Sequence, residues 1–434
     1  MLNWLKLKIN KISSDRISVL SLVGGTTIAQ GINFVFSPIQ TRLFSPNVFG
    51  QYAVFTSITN IFAVIICLRY ELTIVIPKED DNGFALLNIS YLISTIFSFI
   101  VALIFFLYGN LIYRMFDATA LQQYWYYVPI TLILTGIIQA SNYWLIRKRS
   151  FKIISLNKIV PVLAVNIVSI SFGLFGKANI EARLFSNIIS LVSNILIIVP
   201  AIIPDYKHVK KNLKKKYQEQ FFKYSNCLKF DVWSALISNL SWMVVPILIN
   251  TFYSANEAGQ YSIGLRVIQI PLSIIGASFS QVFYKNACEK RYSGELYSYT
   301  IGVIKKLIVL TLPLIIVLLL FSKPMFIYFF GKEWGLAGEY AQIMSIWALA
   351  AFIATPISTI MIITNKQNIL LISNIIIFIS RLVSLYVGKI FNSSIIGLLI
   401  FSISGFIFNI IMLLIYLYYA KSSEVKLIKN KNDN

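Results

Sequence analysis

The sequence predicts an all-α integral membrane protein whose twelve transmembrane helices form two six-helix lobes built as parallel repeats. Three observations lead there. The mean hydropathy is +0.74, and the 434 residues are 57% hydrophobic and only 13% charged, a balance that soluble globular domains do not show. The apolar residues run uninterrupted for about 20 positions at a time, the length at which a helix crosses a hydrocarbon core of roughly 30 Å. Finally, the stretch FSPNVFGQYA that starts at Phe44 returns as YSANEAGQYS from Tyr253.

The opening MLNWLKLKINKISSDR has the charge of a signal-peptide start, but the apolar run behind it is too long for an h-region and lacks a small-residue cleavage pattern. It leads into a retained first span, 17–41. Span two covers 52–76, and spans 84–107, 123–146, 159–176 and 183–204 complete the first lobe. Tyr124, Trp125, Tyr126 and Tyr127 form an interfacial aromatic belt at the start of span four. The basic segment PDYKHVKKNLKKKYQEQFFKYSNCLKF then leads to spans 231–252 and 260–284, followed by 301–322, 341–363, 369–388 and 396–419. Pro38, Pro161, Pro246, Pro271, Pro313 and Pro356 fall inside or at the ends of spans, where each removes a backbone donor and can bend its helix.

The chain thus divides into an N-terminal lobe 1–204, a basic linker 205–230, a C-terminal lobe 231–420 and a tail 421–434. The linker reads either as a solvated tether that helps fix topology or as a segment drawn to anionic headgroups. Twelve spans place both termini on one side. With the N-terminus in the cytoplasm, inward segments carry about 28 Lys and Arg and outward ones about 7, the positive-inside bias. The formal net charge of +21 is therefore mostly topology, and without a recognition module around the basic clusters no nucleic-acid partner is expected.

In the repeat, Ser45, Asn47, Gly50, Gln51 and Tyr52 recur as Ser254, Asn256, Gly259, Gln260 and Tyr261. Both copies occupy the outer turn between an odd and an even span. Six helices separate them, and an even number per unit makes the halves point the same way, related by an axis along the membrane normal.

TRLFSPNVFGQYAVF, residues 41–55, resembles the first outer turn of Wzx-type polysaccharide flippases, the O-antigen and capsule repeat-unit carriers of the multidrug/oligosaccharidyl-lipid/polysaccharide exporter superfamily. FGKEWGLAGEYAQIMSIWALAAFIATPIS, residues 330–358, is similar to the outer turn between their ninth and tenth helices, and RYELTIVIP, residues 69–77, to the end of their second. The resemblance implies lobes that rock around a central cavity and carry an undecaprenyl-diphosphate-linked oligosaccharide from the inner to the outer leaflet of a bacterial cytoplasmic membrane. It implies no cofactor, H+ or Na+ as any coupling ion, and a monomer. Its partners would be the lipid-linked glycan, membrane lipids, and the polymerase and chain-length machinery of polysaccharide assembly.

An ion at the bilayer centre costs a few kcal/mol on insertion scales, so intramembrane charges face a protein interior or a wet cavity. Arg266, about two turns into span eight, and Arg381, about twelve residues into span eleven, lie too deep for simple snorkelling. Arg42 closes span one. Guanidinium groups hold phosphate oxygens through paired donors at any physiological pH, which suits a diphosphate or an acidic sugar. The alternative is a bond from Arg266 or Arg381 to helix-end carbonyls or a lone acid, and an interfacial anchor for Arg42. Glu71, the one carboxylate clearly inside a span, and Asp231, at the start of span seven, are the candidates for ion coupling. Two apart on one helix, Arg69 and Glu71 should point to different sides and form no pair. Span one holds no acid, which argues against cationic cargo and for an anionic one. Gln30, Asn33 and Gln40 in span one, Asn60 in span two, Asn239 and Asn250 in span seven, and Gln269 in span eight are placed to bond sugar hydroxyls, although such groups also bond helix to helix.

Other classes fit less well. An ion-coupled multidrug exporter of the same superfamily needs buried carboxylates. A membrane glycan polymerase or glycosyltransferase needs a large extramembrane loop with acids, histidines or a metal pair, whereas the outer loops are under about 20 residues. Walker A, G-x-S-x-G, H-E-x-x-H and zinc spacings are absent, so neither an enzyme nor an ATP-driven pump is expected. The major facilitator fold would place a basic-glycine signature where this chain has PKEDDNG. Cys67 falls in a predicted helix, Cys227 and Cys288 in cytoplasmic loops, and the lone His208 in a basic loop, so neither a disulfide nor a metal centre is expected.

Overall fold

The computed structural model describes residues 24–208, 213–225, 231–364 and 366–432; residues 17–23 of the first predicted span, Cys227 and the His208 side chain lie outside what is described. The described residues are almost wholly helical and contain no strand. Each predicted span meets a helix: α1 (24–43), α2 (Pro46–Ala63), α3 (Asp80–Met115), α4 (Tyr127–Arg147), α5 (Phe151–Leu174) and α6 (Ile180–His208). After α7 (Leu213–Lys223) come α8 (Val232–Phe252), α9 (Ala255–Ser293), α10 (Leu296–Phe330), α11 (Gly335–Ile357), the single turn α12 (Ile360–Ile363), α13 (Gln367–Ile390) and α14 (Ser394–Asn432).

Among the described residues, nine helices are long and apolar enough to cross a membrane, namely α3 to α6, α8, α10, α11, α13 and α14. The other three predicted spans, α1, α2 and α9, are interrupted by Gln, Asn, Ser and Thr. They carry most of the candidate polar residues.

The two copies of the repeat start their helices by different devices at the same place. Ser254 accepts a hydrogen bond from the Glu257 amide at 3.2 Å, an S-x-x-E cap that opens α9. In the first copy Pro46 takes the first helical position, where a missing N–H costs nothing. Helix α9 ends on Gly294, whose φ of 77° only glycine adopts freely.

The chain forms two compact units, Met1–Phe44 with Val54–Asn239 and Ser45–Ala53 with Leu240–Asn434. In the first unit α3 packs on α4, α4 on α6, and α5 on α6; in the second α10 packs on α11, α11 on α14, and α13 on α14. Counted by span these are the same three pairings, so the repeat extends from ten letters to helix packing. The middle helices of the two sets, α4 and α11, are the most buried of the nine spans.

Two segments depart from expectation. Span two is not one helix: α2 stops at Ala63, Leu68 and Arg69 take left-handed φ values of 47° and 66°, and a 3-10 turn covers Tyr70–Val75. Each such non-glycine residue costs roughly 1–2 kcal/mol. Buried Cys67 lies in this break. The linker, in turn, is no bare tether over 213–223, because α7 packs on α3.

Candidate functional site

In the first unit a buried polar chain joins α1, α5 and α6. Arg183, in the first turn of α6, is 4% exposed. Its Nη1 donates to Gln40 Oε1 at 3.0 Å and to Ser169 Oγ at 3.1 Å. Gln40 Nε2 donates to Asn166 Oδ1 at 2.9 Å, and Asn166 Nδ2 donates to Asn33 Oδ1 at 3.1 Å. The guanidinium stands 5.5 Å from the centre of the Phe44 ring. Asn33 and Gln40 are thus brought together around a cation that the predicted spans set at the edge of span six. A signal for it existed: an arginine in the first turn of a helix opposes the macrodipole, so another contact must hold it there. Lys158 adds a second tie to α1 by donating to Thr26 Oγ1 at 2.6 Å. Gln30 is half-buried on α1, and Arg42 is exposed at its end.

Glu71 is 3% exposed, and Arg69 Nη1 approaches its Oε1 at 3.7 Å. The expectation that these two side chains point apart was wrong, because it assumed an α-helix; the left-handed turn at Leu68 and Arg69 brings them to one side. Glu71 Oε2 and Arg69 Nε remain buried without a hydrogen-bond partner among the described residues. Asp231, the other acidic candidate, is exposed at the head of α8. Asn239 donates to the backbone carbonyl of Asn60 at 2.7 Å, a helix-to-helix bond, while the Asn60 side chain is exposed.

In the second unit Arg381 is 3% exposed on α13. Its Nη1 donates to the Ser241 carbonyl at 2.7 Å and to Ser241 Oγ at 2.8 Å. The guanidinium lies 3.8 Å from the centre of the Trp242 ring and 5.4 Å from that of Phe401, contacts that stabilise a cation by about 0.5–2 kcal/mol. No ion pair among the described residues includes Arg381. Arg266 is half-buried on α9, Gln269 is exposed on the same helix, and Asn250 is buried near the end of α8.

The repeated glycines meet each other inside the second unit. A methyl group on Gly50 would overlap the Ala255 carbonyl oxygen and stand 2.9 Å from the Gly259 amide nitrogen; one on Gly259 would overlap the Pro46 carbonyl oxygen and stand 2.9 Å from the Gly50 nitrogen. Beside them, Gln260 donates to the Glu333 carbonyl at 2.7 Å and accepts from the Ala337 amide at 2.9 Å, tying α9 to the first turn of α11. Phe49 meets Trp334 edge-on at 5.2 Å. The repeated letters are therefore packing letters, with glycine required where two backbones touch.

A family model described as polysaccharide biosynthesis protein matches residues 39–339. Solved structures with a similar fold include an inward-facing multidrug resistance MATE transporter of the MOP superfamily, with a TM-score of 0.69, 15% identity, and coverage of 92% of this chain and 96% of that one. A Pyrococcus furiosus MOP-superfamily transporter described by the reverse polarity of its binding pocket matches with a TM-score of 0.60, 13% identity, and coverage of 94% and 96%. The Vibrio cholerae MATE transporter VcmN in its bent form matches with a TM-score of 0.55, 14% identity, and coverage of 95% and 99%. At these identities the likeness is one of fold. No protein of curated function matches the chain.

Proposed function

The chain belongs to the polysaccharide biosynthesis protein family, and from that premise we propose that it is a flippase. It translocates undecaprenyl-diphosphate-linked oligosaccharide repeat units across a bacterial cytoplasmic membrane by alternating access, supplying O-antigen, capsule or a related polysaccharide. The observation that carries this reading is Arg381, a buried guanidinium held by a serine and a tryptophan and compensated by no carboxylate among the described residues. In a low-dielectric surrounding such a charge acts over several ångströms, and an anionic cargo supplies the counter-charge that the protein withholds. Arg183 adds a second buried cation, against Glu71 as the one buried acid among the described residues. Export of cationic drugs would call for the opposite balance.

In this scheme Arg266 and Arg381, with Arg42 at the outer end of α1, attract the diphosphate. Gln30, Asn33, Asn60, Asn239 and Gln269 offer hydrogen bonds to sugar hydroxyls, and Glu71 and Asp231 are the groups through which H+ or Na+ would couple. The protein works as a monomer without a cofactor, keeps both termini in the cytoplasm, and hands its product to polymerase and chain-length machinery. The test is translocation in proteoliposomes by Arg266→Ala, Arg381→Ala and Arg381→Lys at matched folded yield. The reading expects loss in both alanine variants and partial retention in the lysine variant, which keeps the charge without the paired donors. Full activity in both alanine variants would remove the arginines from the anion path.

A further inference from the structure

Helix α7 carries LKKKYQEQFFK and is held along one face. Lys216 Nζ lies 3.1 Å from Asp81 Oδ2 and 3.6 Å from Glu79 Oε2. The hydrogen bond to Asp81 holds the Lys216 ammonium above its usual range. Tyr217 Oη accepts from Asn88 Nδ2 at 3.2 Å. Phe221 stacks on Tyr70 with ring centres 5.2 Å apart and planes 3° from parallel, and the Tyr70 hydroxyl donates to the Phe221 carbonyl at 2.9 Å. These contacts set the depth of α7. Asp81 belongs to the charged first turn of α3, whereas Asn88 lies about 10 Å further along that helix, inside its apolar run. A helix bonded to both lies beside the first turns of a transmembrane helix, not in the water beyond them.

The opposite face is uncovered. Phe222 is 71% exposed, and Gln218, Glu219 and Lys223 beside it are exposed as well. Trp233, at the head of α8, is 62% exposed, and Tyr206, which donates to Asn88 Oδ1, is 49% exposed. The surrounding sequence supplies Lys207, Lys210, Lys211, Lys214 and Lys215, against Asp205 and Glu219 as the acids of segment 205–230. Exposed aromatics set among lysines at the edge of a span are the signature of a helix lying in the headgroup layer.

From this placement we propose that α7 is an interfacial anchor: its uncovered face inserts Phe222 at the headgroup boundary and presents Lys223, and the net positive charge of the segment draws it to anionic lipid headgroups of that leaflet. The partner is the lipid surface itself. The inference rests only on the membrane-spanning architecture, so it stands or falls apart from the identity of the cargo. It also gives the linker a second attachment, to lipid on one face and to α3 on the other, in the segment that joins α6 to α8.

The test uses the full chain in vesicles, with Cys227→Ser and Cys288→Ser as background. A nitroxide is placed at Phe222→Cys and, separately, at Gln218→Cys, and its collisions with lipid-soluble oxygen and with a water-soluble nickel chelate are compared. At position 222 oxygen should dominate, and replacing part of the phosphatidylcholine by phosphatidylglycerol should raise the oxygen-to-nickel ratio by about twofold. That lipid-charge response should vanish in a variant combining Lys214→Gln, Lys215→Gln and Lys223→Gln, while the response at Gln218→Cys should run parallel to that at Phe222→Cys. Nickel dominance at both positions whatever the lipid charge would overturn the proposal, as would protection from nickel that appears only after a cytosolic protein fraction is added.

Discussion

Replacing Gly50 with alanine probes the reason for the repeat. The added methyl would overlap the Ala255 carbonyl oxygen and stand 2.9 Å from the Gly259 nitrogen, whereas ordinary van der Waals contact begins at roughly 3.5 Å. Both obstructing atoms are backbone atoms of α9, so neither can rotate aside as a side chain would. The oxygen would lie 1.6 Å from the methyl, so the two backbones must part by about 1.5–2 Å, beyond the gap of roughly 0.5–1 Å that already forfeits a quarter to a half of each neighbouring contact. Overpacking of this kind costs about 1–3 kcal/mol, and the better helix propensity of alanine returns at most about 1 kcal/mol. A control is built into the molecule: Gly302, in the interior of α10, has nothing within 4 Å of an added methyl, so Gly302→Ala should be neutral or slightly stabilising. Unfolding of the solubilised protein followed by tryptophan fluorescence should place Gly50→Ala below the unaltered protein and Gly302→Ala level with it or above. Gly259→Ala should match Gly50→Ala, and the double variant should lose less than the sum, because either methyl opens the same gap. Equal stability of Gly50→Ala and Gly302→Ala would refute the packing argument.

Arg183→Met removes two hydrogen bonds from a charged donor, each worth about 1.5–3 kcal/mol, so the same unfolding assay should show a loss of about 3 kcal/mol; a variant as stable as the parent would make the α1–α5–α6 network dispensable. Glu71→Gln keeps the shape of the side chain and should fold to similar stability. If Glu71 couples a proton, transport by this variant in vesicles with an imposed pH gradient should lose its pH dependence, and an unchanged profile would exclude Glu71 as the coupling group. Tyr70→Phe deletes the hydroxyl bond to the Phe221 carbonyl, a net effect of about 1 kcal/mol. Amide exchange over 213–223 should then quicken by about fivefold, whereas unchanged exchange would mean that the lysine and ring contacts hold α7 alone.

Nine of the spans among the described residues were legible because apolar runs of membrane-crossing length leave the backbone few choices. The repeat was legible too, and it reappears as the matched pairings of α3, α4, α5 and α6 with α10, α11, α13 and α14. The break in span two was not: RYELTIV contains neither glycine nor proline, and left-handed Leu68 and Arg69 leave no compositional trace. The Arg69–Glu71 contact follows from that backbone, so it was lost with it. Half of the α1 network could be read from Asn33 and Gln40, but their shared partner Asn166 lies 133 and 126 residues away. Likewise the length and charge of the linker suggested either a tether or a segment drawn to headgroups, while its docking depends on Tyr70, Asp81 and Asn88, all in the preceding lobe.

The most direct test of the central claim is translocation itself: the purified protein in proteoliposomes, an oligosaccharide linked to a polyprenyl diphosphate in one leaflet, and a membrane-impermeant glycan-modifying probe that reports its arrival in the other. The account predicts transfer that depends on the protein and is competed by the same lipid carrying a second diphosphate-linked glycan. It also predicts no efflux of cationic dyes. Dye efflux without glycan transfer would contradict it.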